Sequence, residues 1–489
     1  MVDDELSIKH SEQRGMTPWS TRARLAWWEG ASLALALGVF LLITVSLIYQ
    51  SSPLGHDESL YSARARELLR GEPPSSWWLP HRAPGLPMIL TLAWIGNGTD
   101  PYLRMVVVMS GVVLIVTTWL LGRLIVGRAA SVVASLGVAL SPVILMSASQ
   151  VWPDVPGAAA GMAAMCVYGY WLVSDRMRWS GILLVTGLVA FGITIRYGAP
   201  IPICVGLVGI TFRAWPSERQ KKIRVAAAAV AVAIVGALLL LTPLLSSDTP
   251  FDALAARSGN NPLFAGFGDY WELRDQVFSV SMILSMSGLL LGGLGSTADP
   301  WIRKAFTIPF AIFVLTAGAI ATLVHGEVRY LSPAIPWLWL AAGAGFVWLF
   351  SEVPRLVSTT AGLLAVCLLA IVGWGPAAHT MDFNEGFVNI ERAAVSLRGE
   401  GECGVFTSYT PQVEWYSECE SAGINRSEVD LEFTSLPTQT PLYFFIVENG
   451  KRQPDGDLLE QYLRETTGVP VTFDDPEDHR YVEIWRFRD

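Results

Sequence analysis

The sequence is short of charge. Only 16% of its 489 residues are Asp, Glu, Lys or Arg, whereas soluble globular proteins carry about 25%, and 52% are hydrophobic. These values exclude a large soluble enzyme, a disordered chain and a fibrous one. The net charge is −9 and no Lys/Arg tract is long enough to follow a phosphate backbone, which argues against nucleic acid as a partner. GxGxxG and P-loop patterns, typical of nucleotide sites, are also missing.

The apolar residues instead gather in runs close to the ~20 residues that cross a bilayer as a helix. A shorter apolar stretch, Pro84 to Ile95, cannot span and is predicted to be an interfacial or re-entrant helix. We predict a polytopic α-helical membrane protein with about eleven spans, at 27–49, 103–126, 129–148, 155–173, 180–195, 198–212, 224–245, 277–295, 305–324, 331–350 and 357–375.

Lys and Arg are unevenly divided between the two sets of span ends. One set, which includes the N-terminal segment 1–26, holds 16 of them in short segments, and the other about half as many. Cytoplasmic loops carry this excess. We therefore expect a multi-pass plasma-membrane protein with a cytoplasmic N-terminus, a transmembrane domain over 27–375, a first outer loop over 50–102, and its C-terminal end outside.

Residues 376–489 differ from the rest in composition, with 22 Asp/Glu against 9 Lys/Arg. They predict a soluble extracytoplasmic α/β domain. Alternating or continuous apolar residues favour strands and longer mixed segments favour helices. The predicted strands are Cys403–Tyr409, Gln412–Ser417, Leu442–Val447 and Tyr481–Phe487, and the predicted helices are Asn384–Arg398 and Asp457–Thr467.

Two of the five cysteines, Cys403 and Cys419, lie in this outer region on predicted neighbouring strands. In an oxidising compartment a disulfide between them would contribute roughly 3 kcal/mol. The alternative is two unpaired cysteines.

Ionisable residues near the apolar segments collect at the outer ends of the spans. A carboxylate such as Asp57 or Asp154 can act as a general base, and arginines can hold a phosphate in a bidentate fork. Such a face beside apolar helices suits a substrate with a lipid tail and a phosphate head. The candidate catalytic residues are Asp57, Glu58 and Asp154, and the candidate substrate-binding residues are His81, Arg82, Arg196, Tyr197, His325, Glu327, Arg329 and Tyr330.

Simpler interpretations stay open for each of these residues. Asp57 and Asp154 could cap the helices that follow them, and Glu58 could be an ordinary first-turn acid. Arginines at span ends also serve as interface anchors. The outer histidines show no paired metal-ligand spacing, so no cofactor is certain and a divalent metal is an open alternative.

Four strings, in this order on one predicted face, carry a family resemblance: HDESLY at 56–61, RAPGLP at 82–87, PDVP at 153–156 and EVRYL at 327–331. The chain resembles the GT-C glycosyltransferase superfamily over roughly 27–375. The most similar branch holds protein O-mannosyltransferases and the bacterial aminoarabinose transferase of lipid A.

The resemblance implies an inverting transferase that takes a sugar from a polyprenyl-phosphate donor on the outer side of the membrane. It implies Asp57 as catalytic base, Asp154 as supporting carboxylate, and Arg82 and Arg329 as donor contacts. The acceptor hydroxyl could belong to a glycan, a lipid or a protein. Two rivals remain: a transporter or flippase of lipid-linked sugars, and a non-catalytic membrane subunit.

Overall fold

The computed structural model describes residues 27–50, 53–74, 78, 82–173, 179–213, 300–323, 327–349, 368, 371, 387–398, 403–423, 441–447, 466–474 and 481–487. The predicted spans at 224–245 and 277–295, and nearly all of 357–375, lie outside these ranges.

Helices make up most of the described chain before residue 350. In chain order they are α1 (Trp27–Gln50), α2 (His56–Arg70), α3 (Gly85–Leu90) with a 3-10 extension (Thr91–Gly96), α4 (Asp100–Ile125), α5 (Arg128–Ala139), α6 (Pro142–Ala148), α7 (Asp154–Val173), α8 (Trp179–Ile195), α9 (Pro200–Arg213), α10 (Pro300–Leu323), a 3-10 turn (Val328–Leu331) and α11 (Ile335–Leu349). Helix α4 packs against α7, α5 and α1, while α11 packs against α5 and α10.

Three of the described helices are long and apolar enough to cross a membrane: α1, α4 and the Lys304–Thr322 part of α10. The described residues also contain shorter apolar helices, including α8, α9 and α11. Glu29 pairs with Arg123 and Arg128 at 3.4 and 3.3 Å. These contacts join three helix ends that the charge bias predicts to be on one and the same side.

Two predicted spans differ from the structure. The run 129–148 is not one straight helix, because α5 and α6 meet at a 54° bend. Ser141 precedes a proline and is extended, since the proline ring disfavours the helical conformation in the residue before it. The run 331–350 is also shorter than predicted: α11 begins only at Ile335, beyond Pro333, whose missing N–H cannot continue a helix.

The described C-terminal ranges form a mixed five-stranded sheet with two helices. Its strands are β1 (Gly404–Thr407), β2 (Glu420–Gly423), β3 (Leu442–Val447), β4 (Thr466–Phe473) and β5 (Val482–Phe487), and its helices are α12 (Val388–Leu397) and α13 (Thr410–Ser417). The strand order is β2-β1-β3-β5-β4. Strand β1 runs parallel to both neighbours, whereas β5 is antiparallel to β3 and β4.

Two secondary-structure predictions for this region are wrong. Gln412–Ser417, predicted as a strand, belongs to helix α13, which has Pro411 in its first turn and ends at Glu418 in the left-handed conformation. Proline fixes the backbone angle that a first helical turn needs. Thr466 and Thr467, predicted as the end of a helix, lie in β4, and the rest of that helix, 457–465, is outside the described residues.

Cys403 and Cys419 are joined by a disulfide, with their Cα atoms 4.9 Å apart. This is the pairing that the sequence analysis favoured. Each cysteine immediately precedes a strand, and the two strands are parallel neighbours with Gly404 opposite Glu420.

Replacing both of these cysteines with serine is expected to lower the free energy of unfolding of the C-terminal sheet by about 3 kcal/mol, because the closed loop spans 16 residues. Hydrogen exchange of the β1 and β3 amides measures the loss. Cys204→Ala, at an exposed free cysteine, is the control. Unchanged protection of β1 in the double variant would contradict the prediction.

Candidate active site

Asp57 lies at the centre of a charged cluster. One carboxylate oxygen accepts a hydrogen bond from Arg329 at 2.9 Å, and the other pairs with Arg82 at 3.4 Å. The Asp57 side chain is 30% exposed, whereas those of Arg329 and Arg82 are only 12% and 16% exposed. The carboxylate is therefore the more accessible member of the cluster.

The two guanidinium groups set the charge state of this carboxylate. Burial by itself would raise the pKa of Asp57. The opposing effects of Arg329, then Arg82, its hydrogen bond from Arg329 and the neighbouring His56 outweigh burial and hold the pKa at about 2. Asp57 is thus ionised at every physiological pH.

The sequence predicts a helix from Ser59 to Arg70 in the first outer loop, stopped by Gly71 and two prolines. The structure places its start about one turn earlier, as helix α2 begins at His56, and Asp57 does not cap it. The cap residue is Gly55. Its N–H donates to Glu58 at 2.9 Å, so Glu58 fills the capping role proposed for Asp57. The Asp57 carboxylate is left to the two arginines.

Glu58 is placed differently from Asp57, since it is buried, with 1% exposure. Its carboxylate accepts hydrogen bonds from Arg104 at 3.0 and 3.1 Å and from the Val151 N–H at 2.9 Å. It thereby ties α2 to α4 and to the loop before α7. This geometry favours a positioning role for Glu58 over the catalytic one predicted from the sequence.

Asp154 begins α7 and forms an ion pair with Arg196, which follows α8. Asp154 is buried, and the Arg196 guanidinium lies 4.7 Å from the centre of the Tyr330 ring. The neighbouring Tyr197 is half-buried and packs against the helical core.

Arg329 and Tyr330 connect the two acidic residues. The Arg329 guanidinium pairs with Asp57 and with Glu327, and lies 5.4 Å from the centre of the same Tyr330 ring that Arg196 covers. The structure thus brings together Asp57, Asp154, Arg82, Arg196, Glu327, Arg329 and Tyr330 in one cluster.

Arg82 lies just before helix α3, and the start of that helix makes a close backbone approach to α8. A Cβ atom on Gly85 would lie 2.6 Å from the backbone carbonyl of Thr194, near the end of α8. Only glycine allows helix α3 to approach that closely. This explains the glycine in the string RAPGLP.

Three residues that contact the candidate site residues were not among the candidates from the sequence: Trp152, Gln412 and Arg104. Arg329 lies over the Trp152 ring at 4.4 Å, and His56 Nδ1 is 3.3 Å from Gln412 Oε1 of α13. Arg104 was hidden inside an apolar run, although a charge within a membrane span is itself a signal of function or pairing. His56 and Gln412 are 356 residues apart in the sequence, so no local sequence pattern could predict their contact.

Two predicted site residues, His81 and His325, lie outside the described residues. Across the part of the chain that the structure describes, no three His, Cys, Asp or Glu side chains come together as a metal site. The divalent metal stays an untested alternative.

No family model matches the chain, and the comparison with curated proteins gives no match. Solved structures do match. ArnT from Cupriavidus metallidurans bound to undecaprenyl phosphate superposes with a TM-score of 0.67 at 13% identity, over 94% of this chain and 98% of that one. The oligosaccharyltransferase AglB from Archaeoglobus fulgidus, in complex with an inhibitory peptide and a dolichol-phosphate, gives 0.55 at 12% identity, over 84% and 66%.

The arabinofuranosyltransferase AftD from Mycobacteria gives a TM-score of 0.51 at 12% identity, over 94% of this chain and 40% of that one. All three are GT-C glycosyltransferases. At these identities the similarity shows the fold, and this chain has the GT-C fold that its sequence motifs resemble.

Proposed function

We propose that the protein is an inverting glycosyltransferase that moves a sugar from a polyprenyl-phosphate donor to an acceptor hydroxyl on the outer side of the plasma membrane. The observation that carries the proposal is the ionised, partly accessible Asp57 held between Arg82 and Arg329. The GT-C fold supports it, since ArnT and AglB are described with undecaprenyl phosphate and dolichol-phosphate respectively.

In the proposed reaction the acceptor oxygen attacks the anomeric carbon of the donor sugar. The bond from that carbon to the phosphate oxygen breaks, its electron pair stays on the phosphate, and Asp57 takes the acceptor proton. Arg82 and Arg329 stabilise the negative charge on the leaving phosphate. Attack from the face opposite the phosphate inverts the anomeric configuration.

The low pKa of Asp57 has a role in this scheme. A carboxylate with a pKa of about 2 is a weak base. A donor phosphate would compete for the same two guanidinium groups, loosen their hold on Asp57 and raise its proton affinity. The base would therefore strengthen when the donor is bound.

The position of the C-terminal region supports the proposed topology. Tyr416 of α13 accepts a hydrogen bond from the Leu54 N–H at 2.7 Å and donates one to Asp100 at 2.7 Å. Helix α13 therefore lies on the side of the first loop, which the charge bias predicts to be extracytoplasmic. The boundaries 1–26, 27–375 and 376–489 remain proposals.

The function is tested by reconstituting the full chain in vesicles with radiolabelled undecaprenyl-phosphate hexose and pentose donors and crude envelope acceptors. Label that moves to an acceptor, with release of undecaprenyl phosphate, is the expected result. Intact labelled donor that crosses the bilayer without cleavage would replace the transferase proposal with a flippase.

Replacing Arg329 with Gln is expected to change the pH profile of kcat/KM. The base acts when ionised, so activity is present above its pKa and falls as the pH drops through it. With the pKa at about 2, the wild-type profile shows no acid limb above pH ~4. Removing Arg329 removes the largest effect that lowers this pKa, so burial is opposed by less positive charge, the pKa rises, and an acid limb appears above pH ~4.

Arg64→Gln is the matched control, because Arg64 lies on the same helix α2 and pairs with Glu67 at 2.6 Å. Its pH profile is expected to follow the wild type. An Arg329→Gln profile that still shows no acid limb above pH ~4 would show that Asp57 is not the titrating base.

A further inference from the structure

A cavity lies away from the Asp57 cluster, at the other end of α2. It has a volume of about 480 Å³, and the end of α2, the turn before α4, helix α12 and helix α13 form its walls. Arg66, which lines it, is nine residues beyond Asp57 on the same helix, or about 14 Å along the axis. The cavity is therefore separate from the proposed reaction centre but rigidly connected to it.

The positively and negatively charged side chains that line this cavity are equal in number. Three guanidinium groups and three carboxylates contribute to its walls: Arg66, Arg70, Arg398, Asp100, Glu391 and Glu418. A phosphate would meet the carboxylates and a cation would meet the arginines, so each loses by desolvation and repulsion much of what it gains. A neutral polyhydroxyl compound has neither problem, because its hydroxyls donate to carboxylates and accept from guanidinium groups.

Aromatic rings complete the lining. Trp94 and Trp415 meet edge to face with their ring centres 6.2 Å apart, and Trp94 is half-buried. Indole rings offer a flat apolar surface together with a polar edge. The C–H face of a sugar ring fits such a surface, while its hydroxyls reach the charged groups around it.

The walls are held in place without a ligand. Asp100 accepts hydrogen bonds from Trp415 at 3.0 Å and from Tyr416 at 2.7 Å. The turn before α4 places Asn97 and Gly98 at positive φ angles, 74° and 64°. A Cβ atom on Gly98 would come within 2.6 Å of the Trp94 ring, so the glycine lets the turn close against that ring. A preformed cavity of this kind loses little entropy on binding.

We infer that this cavity binds a neutral saccharide. This inference rests on the proposed function. The cavity would hold a part of the acceptor that lies several sugar units away from the hydroxyl that reacts at Asp57. The acceptor is then an extended glycan, or a lipid or protein that already carries one.

The test uses the labelled full-length protein in nanodiscs on an array of linear, neutral hexose and pentose oligosaccharides. Val395 lines the cavity and is 43% exposed, so Val395→Trp fills the space without removing a buried group. Ser396→Trp places the same bulk on the same helix, at an exposed residue that does not line the cavity. Glu391→Gln removes one carboxylate.

The wild type and Ser396→Trp are expected to bind at least one oligosaccharide family, and Val395→Trp and Glu391→Gln to bind it about tenfold more weakly or worse. No binding by the wild type, or equal binding by both tryptophan variants, would overturn the inference. Asp57→Asn is expected to keep the binding. If the wild type binds the oligosaccharide but transfers no sugar to any acceptor, the proposed function fails while the saccharide site stands.

Discussion

Asp57→Asn is expected to lower the rate of sugar transfer by a hundredfold or more at equal expression, the usual scale for loss of a positioned general base. The amide is nearly the same size as the carboxylate and can still accept a hydrogen bond from Arg329 or Arg82, but it cannot take a proton from the acceptor hydroxyl. Transfer of radiolabel from undecaprenyl-phosphate donors to membrane acceptors measures the effect.

Asp474→Asn is the matched control, because the same chemical change occurs at an exposed residue at the end of β4. It should transfer sugar at the wild-type rate. Thermal stability is measured for both variants, since Asp57→Asn leaves two half-buried guanidinium groups with less negative charge nearby. Near-normal transfer by Asp57→Asn would move the search for the base to Asp154.

The grouping of the charged candidate residues could be predicted from the sequence because it depends on local rules. Charge bias between short loops placed the acidic and basic strings at one set of span ends, and the structure brings Asp57, Arg82 and Arg329 within ion-pair distance. The acidic and basic strings were predicted to lie at one end of the helical bundle, and the order of the spans along the chain together with hydropathy is sufficient for that prediction.

The different partners of Asp57 and Glu58 could not be predicted in the same way. Adjacent residues on a helix point about 100° apart, so one faces the arginine cluster and the other faces α4. Which of the two side chains faces the arginines depends on where the helix begins. The predicted start at Ser59 is about one turn later than the observed start at His56. Likewise, the pattern of apolar residues in Gln412–Ser417 predicts a strand, but over only six residues the same pattern fits a short helix such as α13 equally well.

The docking of the C-terminal region depends on contacts far apart in sequence. Arg66 donates to the backbone carbonyls of Glu414 and Trp415 at 2.7 and 2.9 Å, and its guanidinium lies 5.1 Å from the Trp415 ring centre. From the sequence, Arg66 is a charged residue on a helix, which is expected to face solvent. The sequence does not show that the exposed face of α2 is the surface on which α13 packs.

Glu58→Gln is expected to destabilise the protein by about 3–5 kcal/mol, the cost of leaving one member of a buried ion pair without its counter-charge. Arg104 is 1% exposed, and Glu58 is its charged partner at 3.0 Å. Native proteins are stable by only about 5–15 kcal/mol, so the loss should appear as a large fall in Tm and in the yield of folded protein.

A second variant separates this structural role from a catalytic one. In Glu58→Gln/Arg104→Met the buried charge is gone, the amide oxygen can still accept from Val151, and the methionine fills part of the space, so at least half of the lost stability should return. Transfer per folded molecule should return with it, because Glu58 acts by fixing α2 and thereby the position of Asp57. If Glu58 were instead the base, the double variant would regain stability but not transfer per folded molecule.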